Sequence, residues 1–194
     1  HLDADEVAMP ELLAEIRRRL PALATGAVGY LARQVMLGEK WLRFSADYPV
    51  YVPRLVHRRG ARYAMRGHGE TLAAAPAAAV YFDAPLRHYN FSKGWAEWRA
   101  RHLRYAAAEA ARLRAGGAGG SLRALGSRDR AARRAAARAL SYRLPGRPLL
   151  RFLYAYVLRL GFLDGAAGWH FCRAMADYER MIDAELRKPP PDGK

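Results

Sequence analysis

The spacing of apolar residues changes near residue 91, and this change limits what the chain can fold into. Before it, short apolar stretches with the composition of strands alternate with prolines and glycines. From Ser92 onward, apolar residues recur at helical spacing within segments rich in alanine and arginine. We therefore expect an α/β fold with a strand-bearing part at residues 1–91, a helical part at 92–188 and a disordered tail at 189–194.

The first part contains one helix signal and several strand signals. A helix is predicted to begin at Pro10, because proline suits the first turn and Glu11 suits the positive end of the helix dipole. It should bury one apolar stripe and end before Pro21. Two prolines, Pro49 and Pro53, confine the second strand to an edge or to an irregular position. Strands are predicted at residues 27–35, 48–56, 62–65 and around 81–82.

The second part is predicted to be helical almost throughout. Helices are expected at residues 92–113, capped by Ser92, and at 128–142, 149–160 and 169–187, with a loop at 161–168. The single cysteine, Cys172, lies among apolar residues of the last helix and cannot form an internal disulfide, so we interpret it as a packing residue. The apolar runs fall short of the roughly 20 residues that cross a bilayer.

Positive charge is concentrated in the second part. The chain has a formal net charge of +15, and its 29 arginines outnumber four lysines. Residues 112–151 hold eleven arginines and one acid, Asp129. Such a surface attracts nucleic acid or an anionic membrane. Bias toward arginine in GC-rich coding sequence is the alternative interpretation, although it does not account for the loss of acids from this window.

An acidic triplet near the amino end is the most chemically informative motif. If Asp3 and Asp5 lie in a strand, their side chains point to the same side and can converge on one cation. Carboxylate oxygens suit Mg²⁺ or Mn²⁺, which keep other positions open for the phosphates of a substrate. The alternative is a solvated turn or helix cap, which is where such triplets usually occur.

Several motifs along most of the chain, taken together in order, resemble glycosyltransferase family 2, which has the GT-A fold. The resemblance is to members that build bacterial exopolysaccharide and lipopolysaccharide. It is carried by Leu2-Asp3-Ala4-Asp5-Glu6-Val7 before the first helix, Pro53-Arg54-Leu55-Val56-His57-Arg58, Gly67-His68-Gly69-Glu70, Leu86-Arg87-His88-Tyr89-Asn90 with Ser92-Lys93, and Gly161-Phe162-Leu163-Asp164-Gly165.

The resemblance implies transfer of a sugar from a nucleotide-diphosphate donor to an acceptor hydroxyl. Asp3 and Asp5 would hold Mg²⁺ or Mn²⁺, with His68 as a third ligand, and the ion would neutralise the leaving diphosphate. Arg54 and His88 would contact the donor phosphates. The nucleotide-binding half of the family precedes its Asp-x-Asp motif, so the chain is expected to be a carboxyl-terminal part that is inactive alone.

A general base must also take the proton of the acceptor hydroxyl. We predict Glu70 for this role, because it follows a glycine-flanked loop that can present a reactive side chain. Glu6 and Asp47 are the alternatives. The glycine between His68 and Glu70 departs from relatives in which histidine and glutamate are adjacent, and Glu70 is equally consistent with an ordinary surface residue.

The apolar helix at 149–160 carries a second prediction. Arg143, Arg147, Arg151 and Arg159 would flank it and meet lipid headgroups, placing the enzyme on the cytoplasmic face of the membrane beside a lipid-linked acceptor. A core helix packed on the sheet is the alternative. The rival function is a basic helical module that binds nucleic acid or a membrane surface without catalysis.

Overall fold

The computed structural model describes residues 1–24, 26–57, 62–66, 69–115, 122–142, 144 and 146–189. Its fold is mixed α/β, as the change of pattern near residue 91 predicts. The strands are β1 (Glu6–Ala8), β2 (Ala27–Leu37), β3 (Lys40–Trp41), β4 (Tyr51–Val56), β5 (Tyr63–Arg66), β6 (Gly69–Leu72) and β7 (Ala78–His88). The α-helices are α1 (Pro10–Arg19), α2 (Gly94–Arg114), α3 (Arg130–Ser141), α4 (Arg147–Leu153) and α5 (Gly165–Arg187).

Five strands form a mixed sheet around two long central strands, β2 and β7. These two run parallel, while β1 pairs antiparallel with the far edge of β7. The other edge of β2 pairs with β4 along its first half and with β3 near its end. Strands β5 and β6 form a separate hairpin. The edge position of β4 confirms the expectation drawn from its prolines.

A bulge explains why β7 is much longer than the strand predicted around residues 81–82. Leu31 of β2 lies opposite Phe82, but Arg33 lies opposite Leu86, so β7 holds two extra residues there. This irregularity accommodates Pro85 inside a central strand. The buried carboxylate of Glu15 accepts hydrogen bonds from the freed N–H groups of Asp83 (3.1 Å) and Ala84 (2.8 Å).

The loop predicted at residues 161–168 is wrong, because this segment is helical. A 3₁₀ turn at Gly161–Asp164 leads directly into α5, which begins at Gly165. A Cβ atom at Gly168 would lie 2.1 Å from the carbonyl oxygen of Gly161. Glycine is therefore required here for a close approach between backbone segments, and the sequence pattern alone resembles a flexible loop. The cap predicted at Ser92 is also wrong, since α2 begins two residues later without a side-chain cap.

Three clusters of buried residues hold these elements together. One places Leu12 of α1 against Leu31 and Phe82 of the sheet. A second joins the two parts of the chain by packing loop residues such as Leu42 against Trp98 of α2 and Phe171 of α5. A third lies between α2 and α5.

Cys172 belongs to the second cluster, and burial raises the pKa of its thiol to about 11. The interpretation of this residue as packing is therefore confirmed. Among the residues that the structure describes, no helix is both long and apolar enough to span a membrane.

Candidate functional site

Charged side chains gather where β1, β2, β4 and β7 come together. We call this group the charged cluster: Asp3, Asp5, Glu6, Arg33, Arg54, His88 and Arg101. The antiparallel pairing of β1 with β7 sets Glu6 opposite His88, and the parallel pairing with β2 brings Arg33 near the same end. Strand β4 contributes Arg54 from the opposite side of β2.

The acidic triplet forms a turn, so the expectation that Asp3 and Asp5 share one strand face is wrong. The N–H of Glu6 donates to the carbonyl oxygen of Asp3 (3.0 Å), and the N–H of Asp3 donates to Oε2 of Glu6 (3.1 Å). These two hydrogen bonds form a tight turn from Asp3 to Glu6, the first residue of β1. As a result the two aspartates have different partners: Asp3 contacts Arg54, whereas Asp5 lies beside His88.

Arg54 is buried and binds two carboxylates. Its Nη2 donates to Oε1 of Glu6 at 2.7 Å and also to Oδ2 of Asp3. Burial alone would lower the pKa of the Arg54 guanidinium, but the hydrogen bond and charge of Glu6, joined by Asp3, raise it. Arg54 thus lies in the predicted neighbourhood, but its Nη2 is bound by two carboxylates and its Nε is buried with no hydrogen-bond partner among the described residues.

His88 lies on the other side of the turn. Its Nε2 is 3.4 Å from Oδ2 of Asp5, and its Nδ1 is buried with no hydrogen-bond partner among the described residues. Burial, reinforced by the charge of Arg33, lowers the pKa of His88 below its usual 6.5. The imidazole is therefore neutral at pH 7, which leaves one ring nitrogen as a donor and the other as an acceptor.

A small cavity of about 140 Å³ opens beside Asp5. Lys93 and Arg101 supply positive charge to its wall, and Asn90 and Ser92 supply further polar groups. Arg101 is held in place by Asn90, because its Nη2 donates to both the carbonyl and the side-chain oxygen of that residue at 2.7 Å. The 21-residue helix α2 begins at this cavity, and the first N–H groups of a helix favour anions.

A larger groove of about 870 Å³ runs between α2 and α5. Trp98 lines both the groove and the small cavity, so the two openings adjoin at this residue. Trp95 is 45% exposed and presents its ring to the groove beside His170. Arg99 and Arg173 add charge along the walls and form no ion pair with any other described residue.

The remaining predicted residues are not brought to the cluster. Asp47 is exposed and forms an ion pair with Arg159, which also donates to the carbonyl of Ala46 (3.1 Å). Glu70 lies in β6, where its backbone pairs with Met65, but its side chain is outside the described part of the chain. His68 and the tail at 190–194 also lie outside the described residues.

Sequence reasoning did not anticipate the role of Asp164. This carboxylate is 4% exposed and accepts hydrogen bonds from the N–H groups of Arg43 (3.2 Å), Phe44 (3.0 Å) and Ser45 (2.8 Å), and from the Ser45 hydroxyl (2.7 Å). The bonded residues lie about 120 positions away, so local spacing carries no sign of the contact. Arg33 and Arg101 were likewise missed among 29 arginines.

Asp5 is the one carboxylate of the charged cluster that could hold a divalent ion, provided that the ion takes most of its ligands from a substrate. Within the described ranges, no group of three or more His, Cys, Asp or Glu residues is arranged to hold a metal. Mg²⁺ is nonetheless commonly bound by one or two carboxylates together with phosphate oxygens. Asp5 lines the cavity and meets that requirement, whereas one oxygen of Asp3 is already bound by Arg54.

Comparison with known proteins adds no assignment. No protein-family model matches the chain, and no curated protein and no solved structure matches it. The likeness to glycosyltransferase family 2 therefore stays a prediction from the quoted motifs.

Proposed function

We propose that this chain is the part of a glycosyltransferase that holds the donor diphosphate and the acceptor. The observation that carries the proposal is the position of Asp5. Asp5 lines a cavity whose wall also includes Lys93, Arg101 and the amino end of α2. A carboxylate for a divalent ion and cationic groups for phosphate are thus gathered on one opening, which is the combination that departure of a nucleotide diphosphate requires.

In this proposal, different residues of the cavity neutralise different parts of the negative charge on the departing diphosphate. Lys93 and Arg101 contact phosphate oxygens, and Asp5 holds Mg²⁺ or Mn²⁺. The ion, when bound, supplies Lewis-acid neutralisation of the diphosphate. Arg54 holds Glu6 and Asp3 in place through direct ion pairs, and Arg33 adds positive charge near them.

The acceptor is assigned to the groove between α2 and α5. The groove and the cavity share Trp98 in their linings, so an acceptor in the groove would lie next to the donor site. Trp95 offers an exposed aromatic face for a sugar ring, and Arg99 and Arg173 suit an acidic or phosphorylated glycan. Glu70 stays the predicted base that accepts the proton of the hydroxyl.

The alternative, a nucleic-acid-binding module, has less support from the structure. Several arginines in the basic window are held by the protein itself. Arg112 pairs with Glu109, Arg114 donates to the carbonyls of Glu185 and Lys188, and Arg133 donates to the carbonyl of Ser127. Arginines committed to such bonds contribute less to contacts with phosphate.

Release of UDP or GDP from nucleotide sugars by the full gene product tests the proposed function. We expect turnover only with Mg²⁺ or Mn²⁺, and a loss of about 10²–10³-fold in Asp5→Asn, because neutralisation of the leaving group is removed. Glu39→Gln, an exposed carboxylate on a β-turn, is the matched control and should keep full activity. Unchanged turnover in Asp5→Asn would refute the assignment.

A further inference from the structure

One face of α4 and of the π-helical turn that follows it (Tyr154–Leu158) is apolar and uncovered. Its side chains recur at i, i+1, i+4 and i+5, which places them on one side of the helix. They are between 42% and 75% exposed. We call this surface the apolar face: Leu149, Leu150, Leu153, Tyr154, Val157 and Leu158.

The other side of the same helix already packs on the protein. Ala155 is fully buried, and the rings of Phe152 and Tyr156 lie 5.1 and 5.3 Å from that of Trp169. Arg147 also points inward, where it forms ion pairs with Glu179 and Asp183. The arginine flank expected from sequence is therefore wrong for Arg147, and Arg159 is likewise paired with Asp47. The apolar face is not needed to hold this helix in place.

The exposed surface continues beyond the helix onto a fixed turn. Leu160, Phe162 and Leu163 are each about half exposed. The 3₁₀ turn that presents them ends at Asp164, whose four hydrogen bonds fix it to residues 43–45. Trp169, which is 41% exposed, extends the surface onto α5. A rigid apolar surface of this extent marks a site of interaction.

Charge decides which partner covers it. The chain carries a formal net charge of +15, and residues 130–163 contain eight arginines and no aspartate or glutamate, although the protein itself holds three of these arginines (Arg133, Arg147 and Arg159). A second copy of the chain would bring the same positive charge to the contact, whereas an anionic lipid surface brings the opposite charge. Exposed Tyr154 and Trp169 suit the boundary between headgroups and acyl chains. We propose that the apolar face lies on an anionic lipid bilayer, with α4 parallel to its surface.

This docking also orients the groove assigned to the acceptor. His170 and Arg173, which line the groove, lie one residue and one helical turn after Trp169 on α5, so part of the groove lies next to the lipid-facing surface. A lipid-linked glycan could then enter from the headgroup region. This last step rests on the proposed function, whereas the docking itself does not.

Flotation with vesicles, in the absence of any nucleotide sugar, tests the docking. We expect the 194-residue chain to bind vesicles of equal parts phosphatidylglycerol and phosphatidylcholine, and to bind pure phosphatidylcholine at least about tenfold less tightly, because the surface charge is missing. Leu158→Glu should weaken binding to the anionic vesicles about tenfold, and the double variant with Leu149→Glu still further, since each loses a leucine from lipid contact.

A matched control lies on α1. Leu13 is 43% exposed, and Leu13→Glu changes the charge equally without touching the apolar face. It should bind anionic vesicles as the parent chain does. Leu158→Gln, which adds no charge, guards against a purely electrostatic effect, and circular dichroism checks that every variant is folded.

Several outcomes would overturn the proposal. They are equal binding to neutral vesicles, equal loss in Leu13→Glu, absence of vesicle binding, and a dimer in sedimentation velocity that Leu158→Glu dissociates. Turnover of nucleotide sugar by the full gene product with a soluble acceptor is measured separately. If the chain does not bind vesicles but the full gene product turns over nucleotide sugar, the docking alone is overturned. If the chain binds vesicles but the full gene product shows no turnover, the proposed function alone is overturned.

Discussion

Asp5 lies within the turn before β1 and Asp164 ends the 3₁₀ turn before α5, yet the structure surrounds these two acids very differently. Asp164 accepts four hydrogen bonds of 2.7–3.2 Å from one loop, which uses most of its acceptor capacity. Among the described residues, the Asp5 carboxylate has two long side-chain contacts, with the neutral imidazole of His88 (3.4 Å) and with the Arg101 guanidinium (3.8 Å), and Asp5 lines a cavity. The difference separates a carboxylate that fixes the fold from one that retains capacity for a ligand.

The largest effect should come from removing the saturated carboxylate. Asp164→Ala leaves the N–H groups of Phe44 and Ser45 without their acceptor, so we expect the free energy of unfolding to fall by about 3–4 kcal/mol. Urea denaturation measures the change. A loss below about 1 kcal/mol would show that water replaces these bonds. It would contradict the view that Asp164 stabilises the fold more than Asp5 does.

Glu15 provides an intermediate case, because it satisfies two N–H groups of the β7 bulge and a guanidinium of Arg19. Glu15→Gln should cost about 1–2 kcal/mol, while Glu11→Gln on the exposed side of the same helix should cost almost nothing. Urea denaturation of both variants at pH 7 compares them. A similar loss in both would remove the bulge contact as the cause.

The stabilisation from Glu15 should also depend on pH. Burial pushes the pKa of Glu15 up, but hydrogen bonds from Ala84, Arg19 and Asp83 outweigh burial and hold the pKa below its usual 4.5. The unfolded chain therefore takes up the proton first as the pH falls. The advantage of the parent chain over Glu15→Gln should be complete above pH 4.5 and shrink below it, as urea denaturation along a pH series would record. An advantage that grew with acidity would contradict this assignment.

Of the three acids Asp164, Glu15 and Asp5, the smallest effect on stability is expected at Asp5. Asp5→Ala removes only long contacts at a partly open site, so unfolding should change by less than about 1 kcal/mol. The same urea experiment measures it beside Asp164→Ala. Equal destabilisation by the two substitutions would mean that Asp5 stabilises the fold. The position of Asp5 would then no longer support the proposed function.

Local signals predicted the elements better than they predicted the site. Proline and glutamate placed the start of α1, and two prolines placed β4 at an edge, because these effects act within a few residues. The pairing of Arg54 with Glu6, and of Asp164 with residues 43–45, spans 48 and about 120 positions. Such contacts follow from sheet order and helix packing, which the spacing of residues along the chain does not reveal.

The glycines between residues 161 and 168 are the reason that a loop was predicted where the chain is helical. The spacing of Gly161, Gly165 and Gly168 is typical of a loop, but two of these residues allow backbone atoms to approach closely. Glycine can therefore mark either a flexible backbone or a place where two backbone segments pack closely. The sequence alone does not distinguish these two cases. The turn before β1 was misjudged for a related reason, because Glu6 closes it through bonds that alternation along a strand cannot anticipate.

The burial of Cys172 has a practical consequence for labelling. The thiolate is the reactive form of cysteine, and a thiol that is fully buried with a pKa of about 11 is almost never in that form at neutral pH. Maleimide dyes should therefore not label the folded chain. A cysteine introduced at position 158 would be the sole label, and any modification of Cys172 itself would report that α5 has opened.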